Sequence, residues 1–380
     1  MEPDAGRNRP RAYRIAGVSE SVVDTVASVP SRRIKTGSLG LLLCGALLAV
    51  AFLASLAIGP VSIPLSHVIS ILSDAIRGDH SSGVALREVV IVLDIRLPRT
   101  VLGLLVGGGI AMAGAVMQGI FRNPLADPAL IGVSNGAALA AVIWIVFGAY
   151  LATLVPAALA DFGLPLMAFA GALVATVGLY AIATYEGRTS VATMLFAGIA
   201  ISALAAAGTG VMVFIASDQQ LRDFTFWTFG SLGGATWHKV VMALPFMALL
   251  LLVCWPLARA LDALALGEAE AFHVGIDVER TKKLAIAGVA AGVGAAVAVA
   301  GVIGFVGLVV PHLVRLMMGP GHRVLLPASM LLGGALLLGA DVIARTVASP
   351  AELPLGVVTA ALGAPFFIGL LIRRRTSLFG

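Results

Sequence analysis

Long apolar runs, each close to the length of a membrane span, constrain the fold of this chain more than any other feature. A helix needs about 20 residues to cross the hydrocarbon core of a bilayer. The chain is 59% hydrophobic and 12% charged, whereas soluble domains are about 45–50% apolar and about 25% charged. The qualifying runs are 37–59, 97–118, 129–149, 164–185, 190–215, 238–258, 282–301, 303–318, 324–346 and 354–372. The sequence therefore predicts an all-α polytopic membrane protein with about ten transmembrane helices.

Polar tails flank the predicted transmembrane domain, which covers residues 37–372. Residues 1–36 are polar and Arg-rich. Because the first apolar run is long enough to span, we expect a disordered cytoplasmic tail here rather than a cleaved signal peptide. Residues 373–380 form a second predicted cytoplasmic tail. Shorter amphipathic stretches predict two surface helices, at 64–77 and 218–231.

The distribution of lysine and arginine predicts the orientation. With the N-terminus inside, 18 of the 25 Lys and Arg residues fall on the cytoplasmic side and 7 fall outside, as the positive-inside rule favours. The net charge of +5 is too small to suggest nucleic-acid binding. Each half of the chain has an odd number of spans, so a repeat relating the halves would be inverted.

A short polar turn interrupts the apolar sequence between the second and third predicted spans. It contains Arg122, Asn123, Pro124 and Asp127. Proline removes a backbone donor and ends a helix, and irregular backbone is tolerated at membrane depth only where protein buries it. The turn is therefore predicted either to lie at the membrane surface or to be buried against protein.

The loop 259–283 is the only sizeable loop on the predicted cytoplasmic side. Glycines at both ends bracket a short amphipathic helix, and acidic residues in its first turn favour helix formation. Such a helix is suited to docking in a groove of another protein. An idle surface helix would show the same spacing, so both interpretations are open. The candidate contact residues are Leu264, Gly267, Glu268, Phe272 and Gly275.

Three of the arginines on the predicted outer side, against the positive-inside trend, are candidates for a function. Arg96 and Arg99 share one helix face, and Arg345 follows Asp341 by one helical turn. Arginines at a span end often snorkel to the headgroups, and Asp341 can neutralise Arg345. The functional alternative is a docking site for an acidic partner, which exposed charges would steer more than hold.

The turn between the fourth and fifth spans consists of small residues, namely Ser190, Val191, Ala192 and Thr193. Ser190 is a natural N-cap for the helix that follows. Small residues at an inner hairpin would equally suit a narrow cytoplasmic gate. Capping and gating are therefore both open from the sequence.

Nucleotide, metal and catalytic patterns are missing from the sequence. No Gly-x-x-x-x-Gly-Lys-Ser/Thr loop occurs, so no ATP site is predicted in this chain. The pairs Gly103-x-x-x-Gly107 and Gly288-x-x-x-Gly292 indicate close helix packing instead. No zinc spacing or cluster of His, Cys or carboxylates occurs in the spans, which argues against a membrane-embedded enzyme. Only Asp341 lies well inside a span, which argues against an ion-coupled secondary transporter.

A set of motifs occurs in order along the chain. They are Arg96-Leu-Pro-Arg99, Gln118, Arg122-Asn-Pro-Leu-Ala-Asp-Pro128, Gly132-Val-Ser-Asn-Gly136, Ala265-Leu-Gly-Glu268, Gly304-Phe-Val-Gly-Leu-Val-Val-Pro-His312, Arg323-Val-Leu-Leu-Pro327 and Glu352-Leu-Pro-Leu-Gly356. Together they resemble the permease subunits of type II ABC importers for iron chelates, haem and cobalamin, over roughly residues 37–372.

The resemblance implies a homodimer in the bacterial inner membrane, with the transport pathway on the dimer axis. It implies two cytoplasmic ATP-binding subunits that carry ATP and Mg and contact the loop helix near Leu264–Gly275. It also implies a periplasmic substrate-binding protein that docks acidic residues on Arg96, Arg99 and Arg345. Residues Ser190–Thr193 match the inner gate region. The permease itself would bind no cofactor and perform no covalent chemistry.

The resemblance leaves the polar turn and the cargo open. Arg122 either contacts the ATPase or only follows the positive-inside rule. Haem is the leading cargo, because the stretch 120–138 resembles haem permeases slightly more than cobalamin permeases. Cobalamin and ferric siderophores are the alternative cargoes, and an ion-coupled secondary transporter is the alternative class.

Overall fold

The computed structural model describes residues 30–78 and 84–378. Eight described helices are long and apolar enough to cross a membrane, and two shorter apolar helices accompany them, which confirms the predicted fold class. The long elements are α1 (Pro30–Ala57), α3 (Leu86–Ile120), α4 (Val133–Leu151), α6 (Gly163–Ala183), α7 (Val191–Ile215), α9 (Trp237–Cys254), α12 (Val278–Ala300), α13 (Val306–Met318), α14 (His322–Val347) and α15 (Leu355–Leu378). The short elements are α2 (Leu65–Arg77), α5 (Ala157–Ala160), α8 (Asp218–Thr228), α10 (Ala258–Leu266), α11 (Glu268–His273) and a hairpin of β1 (Thr184–Tyr185) and β2 (Arg188–Thr189).

Helices α3, α12 and α14 form the centre of the compact unit Gly40–Gly380. In their most apolar stretches, 89% of the residues of α3 and 83% of those of α12 are buried. Glycines let these backbones approach closely. A methyl group at Gly107 would lie 2.5 Å from the carbonyl oxygen of Gly333, and one at Gly292 would lie 2.7 Å from Leu250. The predicted close packing at these glycines is confirmed.

Helices α4 and α7 lie at the periphery of the bundle. Only 22% of the apolar stretch of α4 and 11% of that of α7 are buried. Large apolar side chains such as Phe196, Leu204 and Phe214 are exposed on α7. A helix that is apolar on all sides is stable in lipid or against a partner. These helices therefore form an outer surface suited to lipid or to another chain.

The second long helix begins earlier than predicted. It starts at Leu86 and passes through a π-helical segment, Ile91–Arg96, before it continues to Ile120. The predicted start at residue 97 was wrong because Pro98 resembles the first residue of a helix. Pro98 lies instead at the point where the backbone hydrogen-bond pattern changes from π-helical to α-helical, so the N–H that proline lacks belongs to this junction.

The two terminal helices extend beyond the predicted transmembrane domain, although the apolar span of the first one begins at Gly37 as predicted. Helix α1 begins at Pro30, inside the predicted N-terminal tail, and α15 continues to Leu378, inside the predicted C-terminal tail. Residues 1–29 and 379–380 lie outside the described residues, so the predicted disorder there stays a prediction.

Irregular backbone separates α12 from α13, which confirms the predicted division into two spans. Gly301 and Phe305 both have left-handed φ values, 73° and 68°. The carbonyl of Ala300 accepts the N–H of Ser231 at 2.8 Å, so the end of α12 is satisfied by another part of the chain. Non-helical backbone within a membrane requires such protein partners.

Candidate functional site

The loop predicted to dock another protein folds as two short helices, α10 and α11. Gly267 links them with a φ of 144°, which glycine adopts most readily, and Gly275 follows α11 with a φ of 83°. The bracketing glycines are therefore confirmed. Leu266, Phe272 and Val274 are 78%, 73% and 70% exposed. Three large exposed apolar side chains in one loop indicate a surface that another protein covers.

Two of the predicted contact residues in this loop are buried. Leu264 is 3% exposed and Gly267 is also buried. The amphipathic helix α10 directs Leu261 and Leu264 toward the bundle, whereas Leu266 points away from it. Leu264 and Gly267 are therefore not on the exposed surface of the loop, where Leu266 lies instead, and their role in ATPase coupling stays a prediction.

A β-hairpin, which the sequence analysis missed, joins α6 to α7. Strands β1 and β2 pair on either side of Glu186 and Gly187, whose φ values of 48° and 76° are those of a type I′ turn. The threonines that flank Glu-Gly are its only sequence signal. A groove of about 860 Å³ lies beside the hairpin and is lined by Arg188, Glu268 and Phe272, among others. It brings the hairpin and the loop helices to the same end of the bundle.

The predicted gate residues follow the hairpin directly. The Oγ of Ser190 accepts the N–H of Thr193 at 3.2 Å, which makes Ser190 the N-cap of α7 and confirms the predicted cap. Ser190, Ala192 and Thr193 are exposed and Val191 is half-buried. The gating role of these four residues stays a prediction.

Lys282, in the first turn of α12, joins the hairpin to the loop helices. Its side chain is 1% exposed. Its Nζ donates to the carbonyl of Thr189 at 2.7 Å, to Oε2 of Glu268 at 2.8 Å and to Oε1 of Glu279 at 3.2 Å. Oε2 of Glu279 in turn accepts the N–H of Thr189 at 2.8 Å. A buried ammonium is stable only when its three donors are satisfied, as they are here.

Sequence reasoning identified Glu268 but missed Lys282, Glu279 and Thr189. The sequence does contain one signal, the helical period. Position 282 shares a face with the buried residues Ala285, Ile286 and Val289, whereas Lys283 falls on the exposed face. A lysine on the buried face of a helix requires an anionic partner.

A second ion pair ties α10 to α14. Nδ1 of His322 lies 2.6 Å from Oδ1 of Asp262, and the backbone N–H of His322 donates to the same oxygen at 2.8 Å. Burial alone would raise the pKa of Asp262, but the hydrogen bonds from His322 hold that pKa below its ordinary value. Within the part of the chain that the structure describes, His, Cys, Asp and Glu side chains nowhere gather in threes as a metal-ion site.

The polar turn after α3 is exposed in its first half and buried in its second. Arg122 is exposed and has a left-handed φ of 49°. The Oδ1 of Asp127 accepts a backbone N–H two residues on, at 2.8 Å, and caps the 3-10 turn Pro128–Ile131. Pro128 is buried and packs against Gly307. Each predicted alternative therefore applies to one half of the turn.

Arg99 lies at the opposite end of the bundle, where it binds two carboxylates. Its Nη2 lies 2.8 Å from Oδ1 of Asp341, and its Nη1 lies 2.9 Å from Oε1 of Glu352. Asp341 is nineteen residues along α14 from His322, which is about 28 Å at 1.5 Å per residue. Nε of Arg345 lies 3.5 Å from Oδ2 of Asp341, which confirms the predicted pair. The hydrogen bond from Arg99 lowers the pKa of Glu352.

The three arginines predicted to form an exposed docking patch are buried. Arg96, Arg99 and Arg345 are 4%, 8% and 3% exposed. Arg96 donates to the carbonyls at the end of α1, and Arg345 Nη2 donates to the carbonyl of Ser55 at 2.7 Å. The last carbonyls of a helix have no intrahelical donor, so they attract nearby guanidinium groups. The expected exposure was therefore wrong, whereas docking of an acidic partner here stays a prediction.

Sequence comparison finds relatives among import permeases. The chain is 47% identical over 289 residues to the cobalamin import system permease protein BtuC of Halobacterium salinarum, which covers 76% of this chain and 75% of that protein. It is 44% identical over 288 residues to the hemin transport system permease protein HmuU of Yersinia pestis, with coverage of 76% and 85%. It is 39% identical over 353 residues to the vitamin B12 import system permease protein BtuC of Klebsiella pneumoniae, with coverage of 92% and 98%.

The fold and the family agree with these relatives. A solved metal-chelate type ABC transporter in an inward-facing conformation superposes with a TM-score of 0.75 and 29% sequence identity, and covers 88% of this chain and 98% of that chain. The FecCD transport family matches residues 47–373, a range that includes the loop helices, the Lys282 contacts and the Arg99 contacts. The chain therefore belongs to the FecCD transport family, the permease subunits of type II ABC importers.

Proposed function

We propose that this chain carries haem, or a related chelate, inward across a cytoplasmic membrane, with the α10–α11 loop on the cytoplasmic face. The observation that supports this most directly is the exposed apolar surface formed by Leu266, Phe272 and Val274. The sequence contains no ATP-binding loop. We infer that the importer contains two separate ATPase subunits, which bind ATP and Mg. These subunits would cover the exposed loop surface.

A pathway between two copies of the chain fits the packing better than a pathway through one copy. The centre of the described bundle is filled by α3, α12 and α14, with glycines in close backbone contact. A chelate as bulky as haem would therefore pass along an interface between copies.

We further propose that a binding protein delivers the cargo at the Arg99 end. Its acidic residues would compete with Glu352, whose side chain is 36% exposed, for the guanidinium of Arg99. Docking would therefore require Arg99 to exchange one carboxylate for another rather than to present a free charge. Such an exchange favours orientation and specificity over affinity.

Haem remains the proposed cargo, and cobalamin is the first alternative. The relatives carry both cargo names, since one is called a hemin permease and two are called cobalamin or vitamin B12 permeases. The three candidate cargoes can be distinguished in proteoliposomes that contain the permease, the ATPase and the binding protein. Uptake of hemin, of cyanocobalamin and of a ferric siderophore is measured separately. Uptake driven by an ion gradient without the ATPase would contradict the importer mechanism.

The loop surface can be tested with one substitution and a matched control. Phe272→Asp places a charge in the centre of the proposed ATPase contact, and we expect co-purification of the ATPase to fall about ten-fold or more, which equals about 1.4 kcal/mol. Ile76→Asp changes a side chain that is 87% exposed on α2, near the other end of the bundle, and should leave co-purification unchanged. Equal retention of the ATPase by both variants would contradict the proposal.

A further inference from the structure

We propose that Lys282 is the positioning residue that transmits movement of the loop helix α11 to the hairpin and so to the start of α7. This inference rests on the proposed function, because it assumes that an ATPase moves α11. Lys282 contacts neither the exposed loop surface nor a cargo. It would act by holding α11, α12 and the hairpin as one moving unit.

Each donor of the Lys282 ammonium is assigned to a different segment. One binds the carbonyl of Thr189 in β2, one binds Glu268 in α11, and one binds Glu279 within α12 itself. Hydrogen bonds between charged groups are stronger than neutral ones. The ammonium therefore links the hairpin to α11 and α12, two consecutive helices that come much later in the sequence.

Burial of the ammonium makes this link difficult to break. Lys282 is 1% exposed, whereas the side chains of Glu268 and Glu279 are 40% and 34% exposed. Water can solvate the two carboxylates if they separate from the lysine, but it cannot reach the lysine. A displacement of α11 that left α12 and the hairpin behind would leave the buried ammonium with only Glu279 and the Thr189 carbonyl, and one of its three donors would be unsatisfied. The segments are therefore expected to move together.

The hairpin transfers a movement of α11 to α7, which is the helix least restrained by the bundle. Both backbone polar groups of Thr189 are bonded, the carbonyl to Lys282 and the N–H to Glu279. Ser190, the N-cap of α7, is the next residue along the chain. Only 11% of the apolar stretch of α7 is buried, the smallest share among the eight described spans.

The test is the number of cargo molecules moved per ATP hydrolysed, measured in proteoliposomes that hold the complete importer, with hemin and cyanocobalamin as probes. Lys282→Met should lower this ratio about five-fold or more, in the range of ordinary coupling energies. Lys282→Arg keeps the charge and should stay near wild type. Lys283→Met removes an exposed lysine one position on and is the matched control. An unchanged ratio in Lys282→Met would overturn the proposal.

A second readout does not depend on transport. In Lys282→Met, hydrogen exchange of residues 184–190 should become faster while exchange in α14 stays the same, because the hairpin loses a bond to Lys282 and α14 has none to lose. If Lys282→Met fails to assemble, Glu279→Gln takes its place in both measurements, the number of cargo molecules moved per ATP and the hydrogen exchange of residues 184–190. This variant keeps the bond from Lys282 to Glu268. Failure of the wild-type importer to hydrolyse ATP or move either probe would count against the proposed function, not against Lys282 alone.

Discussion

Buried charges lie at the two ends of the bundle, and each of them is paired with carboxylates. Arg99 and Lys282 are 8% and 1% exposed, and each contacts two carboxylates. Taking a charge out of water is costly unless it is paired and hydrogen-bonded. These residues therefore act mainly by determining which segments come into contact, and their contribution to stability is the smaller effect.

Asp341 should contribute far more to stability than Glu352, although both bind Arg99. Asp341→Asn leaves two buried arginines without their shared carboxylate and should lower the free energy of unfolding by about 3–5 kcal/mol. Glu352→Gln removes a partner that is 36% exposed and should cost under about 1 kcal/mol. Denaturant unfolding in detergent micelles measures both values. Equal losses would show that burial does not control the strength of these pairs.

The lowered pKa of Glu352 predicts an acid-sensitive contact at the Arg99 end. A carboxyl whose folded pKa lies below its unfolded value of about 4.3 stabilises the fold fully above that value. This stability is lost as the pH falls through the folded pKa. The difference in Tm between wild type and Glu352→Gln should therefore stay constant from about pH 7 to 5 and shrink below about pH 4. A difference that stays constant down to pH 3 would contradict the assignment.

At the level of helices, small residues determine which elements can pack closely. A side chain at Gly114 of α3 would meet the backbone carbonyl of Gly307 in α13, whereas one at Gly210 of α7 would meet nothing within 4 Å. Gly114→Val should therefore lower the free energy of unfolding by about 1–3 kcal/mol more than Gly210→Val, because overpacking separates α3 from α13. Both variants share the same intrinsic helix propensity, so a similar effect of the two would contradict the packing argument.

Helix boundaries show what local sequence can and cannot predict. The division between α12 and α13 was predicted from the lengths of the apolar runs, and the irregular backbone between them confirms it. The start of α3 was not predicted, because Pro98 is compatible both with a helix start and with a π-to-α junction. The hairpin before α7 was missed because two-residue strands carry almost no periodic signal.

For the whole molecule, the packing predicts association of two copies. The interior of one described bundle is closely packed, and α7 presents apolar side chains outward. Two copies that carry different affinity tags and are expressed together should therefore co-purify in mild detergent. Cysteines engineered on their exposed apolar helices should also cross-link the two copies. Recovery of each tag without the other, with ATP-driven uptake retained, would contradict a shared pathway.

The two charged ends of the molecule lie about 28 Å apart along α14, so a signal between them must travel through packed helices. Helices α3 and α14 are nearly incompressible where their backbones touch at Gly107 and Gly333. Helix α7 is loosely held and begins next to the Lys282 contacts. It is therefore the element most suited to two alternative positions, which any alternating-access mechanism requires.

The sequence by itself determined the class of this protein, its membrane-spanning segments, the bracketed loop helix and the family motifs. Length, hydropathy and glycine position are local properties, so they can be read without knowing the fold. Only the tertiary structure decided that Arg96, Arg99 and Arg345 are buried and that Lys282, rather than Lys283, joins the hairpin to the loop. Lys282 meets its carbonyl partner 93 residues away, and Arg99 meets Asp341 242 residues away. The helical period indicates that Lys282 lies on the buried face of its helix, but pairing depends on such distant partners, and no local pattern encodes it.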